Sequence, residues 1–296
     1  MTTGSIYDIG YRGYDGPRLG RRHAVAALIR HSMRSILGIG RSGRAKVIPA
    51  FCLGLPALVA LIIVGVRALA QGATGGELGD IGVLPGHSGM YQQVAVFPIL
   101  FVAAQAPELL GRDQRYRVLT LYFSRALRRP DYALAKLAAL SLGVMSILLL
   151  PQLILAVGSV LLTTDTVEAI RTELGALPAI LGSSVIIAIV TSGLALVIAS
   201  ITPRRAYATA AIFGAFIIPA IVAAIVIGLD VGEASKWIVL IDVGTLLDGI
   251  NAWFFGVAPS GPGATDVPIE ALAGGAVLLG VGCTAALVWR YVRIQV

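Results

Sequence analysis

Phosphate-loop chemistry turns on lysine, and this chain of 296 residues has three: Lys46, Lys136 and Lys236. None follows a glycine, so no G-x-x-x-x-G-K-[ST] loop can cradle nucleotide phosphates. His23, His31 and His87 have no metal-ligand spacing, and H-E-x-x-H does not occur. The run Gly86-His87-Ser88-Gly89-Met90 sets a serine beside a histidine but lacks the closing glycine of a nucleophile elbow, and reads as a polar loop. Cys52 and Cys283 fall within apolar runs and imply neither a disulfide framework nor a metal site. No catalytic, cofactor-binding or metal-binding constellation is expected, and the chain reads as a non-enzyme.

The richest stretch is basic, with aromatic residues interleaved. It runs from Glu108 through Arg112, Arg115, Arg117, Leu119, Tyr122, Phe123 and Arg125 to Arg128-Arg129-Pro130-Asp131-Tyr132 and Lys136. Val118, Leu119, Tyr122 and Phe123 fall on one face of a short helix flanked by arginines. A compact apolar face of that kind suits docking in a partner's groove. The alternative is a basic loop that does no more than hold its side of a membrane.

The elements that must position this stretch are set by composition. Hydrophobic residues make up 57% of the chain and charged residues 13%, against about 25% charged in soluble domains. The net charge of +7 suits either nucleic acid or anionic lipid. The arginines lie between apolar runs of roughly twenty residues, the length that crosses a bilayer as a helix. Membrane lipids are therefore the expected partner, and nucleic acid is not. Six such runs occur, at about 47–70, 92–110, 133–162, 176–201, 206–228 and 268–289. Backbone groups in lipid must pair internally, so the fold class is all-α polytopic, with six transmembrane helices. Pro56, Pro98, Pro151 and Pro219 should kink these spans without abolishing them.

Orientation follows from charge. With the N-terminus inside, 20 of the 23 basic residues are cytoplasmic, while 11 of the 16 acidic residues lie outside. The positive-inside rule thus places both termini in the cytoplasm of a multi-pass protein of the cell membrane. Arg67, near the outer end of the first span, should snorkel to the outer interface.

Residues 1–46 form a polar, basic cytoplasmic region without the apolar core of a cleavable signal peptide. Within it, Leu19 to Gly40 reads as an amphipathic helix along the membrane surface. Val25, Leu28, Ile29, Ile36 and Leu37 take one face, and Arg30, Arg34 and Arg41 another. Residues 47–296 form the transmembrane domain, with a cytoplasmic loop at 108–136 and an outer segment at 229–267. Trp237 to Val257 is apolar but carries Asp242, Asp248 and Asn251, which are costly in mid-bilayer. We read it as an outer-surface helix with Leu246, Leu247, Ile250, Trp253 and Phe254 on the membrane interface. Gln105, Gln152, Thr191, Ser192 and similar neutral groups are the polar residues the spans offer, suited to bonds between helices. Small residues recur one turn apart at Ala135, Ala139 and Gly143, at Ala206, Ala210 and Gly214, and at Ala276, Gly280 and Thr284. These stripes fit packing within the chain or a dimer seam.

This arrangement resembles the permease subunits of type-2 ABC exporters. Glu108 to Lys136 resembles their basic coupling loop and its R-R-P entry into the third span; Leu19 to Gly40 resembles their interface helix. The opening Tyr7-Asp8-Ile9-Gly10-Tyr11-Arg12 to Gly16-Pro17-Arg18-Leu19-Gly20 is similar to actinobacterial members. Arg115-Tyr116 stands where those loops commonly have a glycine-threonine pair.

The resemblance implies a dimer of permeases, identical or paired with a second permease, above two separate ABC ATPase subunits that hold ATP and Mg. ATPase coupling would fall to Arg112, Arg115, Arg117, Leu119, Tyr122, Phe123 and Arg125. Val25, Leu28, Ile29, Arg30 and Arg34 would serve the interface helix. Gln105, Phe213, Phe216 and Pro219 are candidates for lining the path. An ion-coupled secondary transporter, a membrane-embedded enzyme and a membrane anchor of a signalling complex stay open as alternatives. Ionisable groups are scarce within the spans, which weighs against the first.

Overall fold

A computed structural model describes residues 16, 19–74, 84–116, 118–124, 127–229 and 232–294. Most of the opening motif from Tyr7 to Arg18, together with Arg117 and Arg125, lies outside them. The described residues form helices without strands: α1 (Gly20–Ile36), α2 (Gly43–Thr74), α3 (His87–Val94), α4 (Val96–Arg115), α5 (Leu119–Phe123), α6 (Arg129–Leu162), α7 (Thr166–Ile201), α8 (Arg205–Gly228), α9 (Val243–Phe255) and α10 (Ile269–Arg293). Short 3₁₀ segments at Glu233–Ile241 and Ala264–Asp266 complete them. Helices α2, α6, α7, α8 and α10 are each long and apolar enough to cross a membrane. Two bent pairs, α3 with α4 and the 3₁₀ segment with α9, could raise the total to seven.

Local chemistry accounts for the breaks. Pro98 sits in the first turn of α4; its ring crowds the carbonyl four residues back, at Val94, where α3 ends. The two helices meet at Ala95 with a bend of 48°. Pro56, Pro151 and Pro219, by contrast, lie inside continuous helices. Asp242 accepts from the backbone N–H groups of Gly244 and Thr245, capping α9. The chain turns by 90° there. Gly256, at φ 64°, ends α9 in the left-handed conformation that glycine adopts without strain.

Helix α7 is the most enclosed of the long helices and packs against α4, α6, α8, α9 and α10. Its buried Thr191 donates to Ile187 O at 2.6 Å, back to its own helix and not across to another. Two of the small-residue stripes are consumed by packing within the chain. A Cβ on Gly143 would stand 2.9 Å from Ile36 Cδ1 of α1 and 2.9 Å from Phe101 Cε1, and one on Gly280 would stand 3.1 Å from Val190. On α8, Ala206 and Ala210 are left exposed.

Two apolar faces that the sequence assigned to the membrane pack in part against the chain. On helix α1, Val25, Ile29 and Leu37 stay partly exposed. Leu28, Ser32 and Ile36 are buried, and the helix lies along α6 from Asp131, which pairs with Arg21, to Gly143, which faces Ile36. The apolar side of α9 likewise turns inward. Leu246, Leu247 and Ile250 are buried against the chain; a Cβ on Gly275 would stand 2.8 Å from Leu246 Cδ2, and Gly249 closes on Leu272. Trp253 alone of the five is exposed, with Phe254 half-buried over Gly182.

Polar contacts sort the helix ends into two groups. Arg41 before α2, Glu108 of α4 and Arg205 opening α8 meet in one cluster. Arg290 of α10 donates to Ser200 O near the end of α7, and Arg129 opening α6 donates to Val292 O. At the opposite end, Arg67 of α2 donates to Pro85 O. There His87 opening α3 meets Gln152 of α6 and Glu173 of α7, and α9 packs among α3, α7, α8 and α10.

Candidate functional site at the arginine-rich end

Helix α6 begins with Asp131 accepting from the backbone N–H of Arg128, a one-way cap that fixes the entry of the basic stretch. One residue on, Tyr132 is fully buried and organises an aromatic cluster. Ring centroids of Tyr122, Phe123 and Tyr291 lie 5.6, 6.0 and 5.1 Å from it. The Tyr132 hydroxyl donates to Asp113 Oδ2 at 2.7 Å, and Lys136 Nζ lies 2.8 Å from the same oxygen. Lys136 is 3% exposed and also donates to Leu109 O. A buried ammonium with a carboxylate and a carbonyl as partners is a satisfied one.

Around this core the arginines divide by role. Arg21 makes a two-pronged pair with Asp131, joining α1 to α6. Glu108 receives Arg41 at 2.9 Å and Arg205 at 3.5 Å. Arg290, Arg129 and Arg115 donate to carbonyls of Ser200, Val292 and Pro203, at or just beyond the ends of α7 and α10. Cations at helix C-termini neutralise the negative end of the dipole. Much of the positive charge is therefore spent on holding helix ends together.

A cleft of about 770 Å³ opens between α1, α4, α5 and α6, lined by residues that include Ser32, Arg34, Arg41, Glu108, Arg112, Asp113 and Lys136. Burial, with Asp113 nearby, raises the Tyr122 phenol above its ordinary range, so Tyr122 faces the cleft as a neutral hydroxyl. Among the described residues no group of three His, Cys, Asp or Glu side chains is placed to hold a metal ion.

The structure distributes the sequence-predicted residues unevenly. Leu119 is buried, Tyr122 and Phe123 are half-buried against Tyr132, and Arg129 stacks over Phe123 at 5.9 Å. The face expected to meet a partner is thus turned largely inward. Arg112 and Arg115 are exposed. On α1, Leu28 is buried, Val25 and Ile29 are partly buried, and Arg30 and Arg34 are exposed. Gln105 and Phe216 are buried within the chain, and Phe213 and Pro219 partly so.

Sequence reading missed Tyr116 and Leu121, which project from the loop 68% and 66% exposed. Leu121 lies between the inward Leu119 and Tyr122 in sequence, and a five-residue helix is too short to show a period. A second polar network, at the opposite end, was missed as well. His87 Nε2 lies 2.9 Å from Glu173 Oε2 and its Nδ1 faces Gln152 Oε1, while Gln152 Nε2 donates to His87 O. Asp248, 6% exposed, accepts from the Ser260 backbone N–H at 2.7 Å and from Gln92 at 3.1 Å.

No protein-family model matches the chain, and no curated protein matches it.

Proposed function

We propose that this chain is the transmembrane permease subunit of an ATP-driven exporter, powered by separate ATPase subunits that dock at its arginine-rich end. The reading has six crossings: α2, the bent α3–α4 pair, α6, α7, α8 and α10. The 3₁₀ segment and α9 make no crossing of their own. They join the end of α8 to the start of α10, and polar contacts gather the opposite ends of those two helices at the arginine-rich side. Both termini then face the cytoplasm, as the positive-inside rule favours.

The observation that carries the reading is the build of α5. Its inner side packs on Tyr132 at the base of α6, and Tyr132 is bonded to Asp113 of α4. Tyr116 and Leu121 project outward beside it. A force on those two side chains would pass directly into two spans. Affinity purification of the tagged chain from its native cells tests this directly. An ATPase with a phosphate loop should copurify, and ATP hydrolysis should appear in the complex but not in the chain alone. Recovery of the chain from mild detergent without any such ATPase would overturn the proposal.

The His87–Glu173 pair favours a second reading, an ion-coupled transporter, because it is an ionisable pair joining α3 to α7, with Gln152 of α6 bonded to the same histidine. Transport by the reconstituted chain alone, driven by a proton gradient without ATP, would establish it over the first.

A further inference from the structure

The cleft at the arginine-rich end holds more positive charge than its own carboxylates neutralise. Arg41, Arg34, Arg112 and Lys136 line it against Glu108 and Asp113. Both carboxylates are engaged, Glu108 by Arg41 and Arg205, Asp113 by Lys136. Arg34 and Arg112 have no ion pair among the described residues, although both stand on the rim of one cavity. Ser32, also in the lining, is 0% exposed, and its Oγ has no hydrogen-bond partner. An orphaned buried hydroxyl is costly unless a ligand or water completes it. Tyr122, Tyr116 and Ser35 add further hydroxyl donors to the same wall.

Two guanidiniums without an ion pair among the described residues and several hydroxyls around one space are the donor set for a tetrahedral oxyanion. Guanidinium forks match phosphate oxygens two at a time, and their charge raises the strength of each bond. The volume of about 770 Å³ is that of a small-molecule site and exceeds what a bare phosphate fills. From this we infer that the cleft binds a phosphate-bearing anion, with Arg34 and Arg112 as its charged ligands and Ser32 as a buried donor. The phosphate belongs either to an anionic lipid headgroup entering between α1 and α4 or to a soluble phosphorylated compound. The site joins α1, α4, α5 and α6, so its occupant would bridge elements from separate parts of the chain. This inference stands whether or not the energy source is an ATPase.

The test uses the full chain in lipid nanodiscs, with two arms. In nanodiscs of phosphatidylcholine alone, inorganic phosphate and pyrophosphate are titrated calorimetrically. In nanodiscs doped with phosphatidic acid, native mass spectrometry reads the lipid retained on the protein. Arg34→Gln and Arg112→Gln are compared with Arg30→Gln, which removes the same charge from an exposed position of α1 outside the cleft lining. Binding in either arm should weaken about tenfold or more in each cleft variant and stay unchanged in Arg30→Gln. Arg34→Lys and Arg112→Lys should keep part of it. Loss in the first arm identifies a soluble anion, and loss in the second a headgroup. Absence of binding in both arms, or equal weakening by Arg30→Gln, overturns the proposal.

Discussion

Lys136 of α6 and Asp113 of α4 form an ion pair of 2.8 Å with only 4% and 17% of their side chains exposed. Removing one member strands the other in a poorly solvated place, at a cost of about 3–5 kcal/mol, whereas removing both charges costs less. Lys136→Met should therefore lower the thermal unfolding midpoint in detergent sharply. Lys136→Met combined with Asp113→Asn should recover at least half of the loss. A double variant no more stable than the single one would mean that the pair does not couple α4 to α6.

The opposite network makes a separate prediction. His87 bonds both Gln152 and Glu173, and α3 is joined to α9 by Asn251 Nδ2 to Ser88 O at 2.8 Å and by Gln92 to Asp248 at 3.1 Å. His87→Ala should cost about 1–3 kcal/mol of local stability. Amide hydrogen exchange should rise across α3 while the middle of α7 stays protected. Unchanged exchange in α3 would show that this histidine does not hold it.

Close helix approach predicts a graded response to one added methyl. A Cβ on Gly158 would collide with Val64 of α2, and one on Gly182 with the Phe254 ring, whereas nothing lies within 4 Å of a Cβ on Gly175. Gly158→Ala and Gly182→Ala should destabilise by about 1–3 kcal/mol through overpacking. Gly175→Ala should be neutral or stabilising by up to about 1 kcal/mol, since alanine favours a helix over glycine. Comparable unfolding midpoints for all three would refute the packing described.

If a partner docks on α5, truncating different faces should have different consequences. Tyr116→Ala and Leu121→Ala remove exposed side chains and should release the partner, with the chain itself as stable as before. Anchors of this kind often contribute about 2 kcal/mol or more to association. Tyr122→Ala and Phe123→Ala strip the cover from Tyr132 and should lower the unfolding midpoint of the isolated chain. Trp253→Ala, exposed at the other end, serves as control. Full partner retention by both outward variants would place the docking surface elsewhere.

Topology can be read by cysteine labelling in intact cells, because Cys52 and Cys283 are buried. An impermeant reagent should modify Thr265→Cys from outside and leave Ser42→Cys untouched until the membrane is opened. Labelling of both from outside would contradict the six-crossing path.

Long apolar helices were readable because lipid demands long apolar runs, and five of the six runs expected appear as helices long enough to cross, the remaining one as part of the bent α3–α4 pair. The direction of each apolar face was not. In water an apolar stripe points to the core, but in lipid Leu246 and Ile250 can satisfy the same pattern facing outward or inward. The same ambiguity hid the burial of Leu28 and Ile36 of α1 against α6. Asp248 was recognisable as costly, yet its partner Gln92 is 156 residues away in the chain, beyond the reach of local spacing. Of Val118, Leu119, Tyr122 and Phe123, Leu119 is buried and the two aromatic rings pack on Tyr132. Their inward orientation depended on Tyr132, whose burial no periodicity announces.

The interruption at Ala95 divides the α3–α4 pair into two arms of unequal length, eight residues in α3 and twenty in α4. At 1.5 Å per residue these are roughly 12 Å and 30 Å long. Turning about that pivot by roughly ten degrees would carry the far tip of α4 through about 5 Å and that of α3 through about 2 Å. The long arm ends among Glu108, Arg112 and Asp113; the short arm carries His87. A missing backbone N–H at Pro98 thus gives the bent pair the gearing of an off-centre lever, coarse at the arginine-rich end and fine at the other. Spin-label distances from Arg112 and from Ser88, near the two tips, to a common point on α7 would measure that ratio.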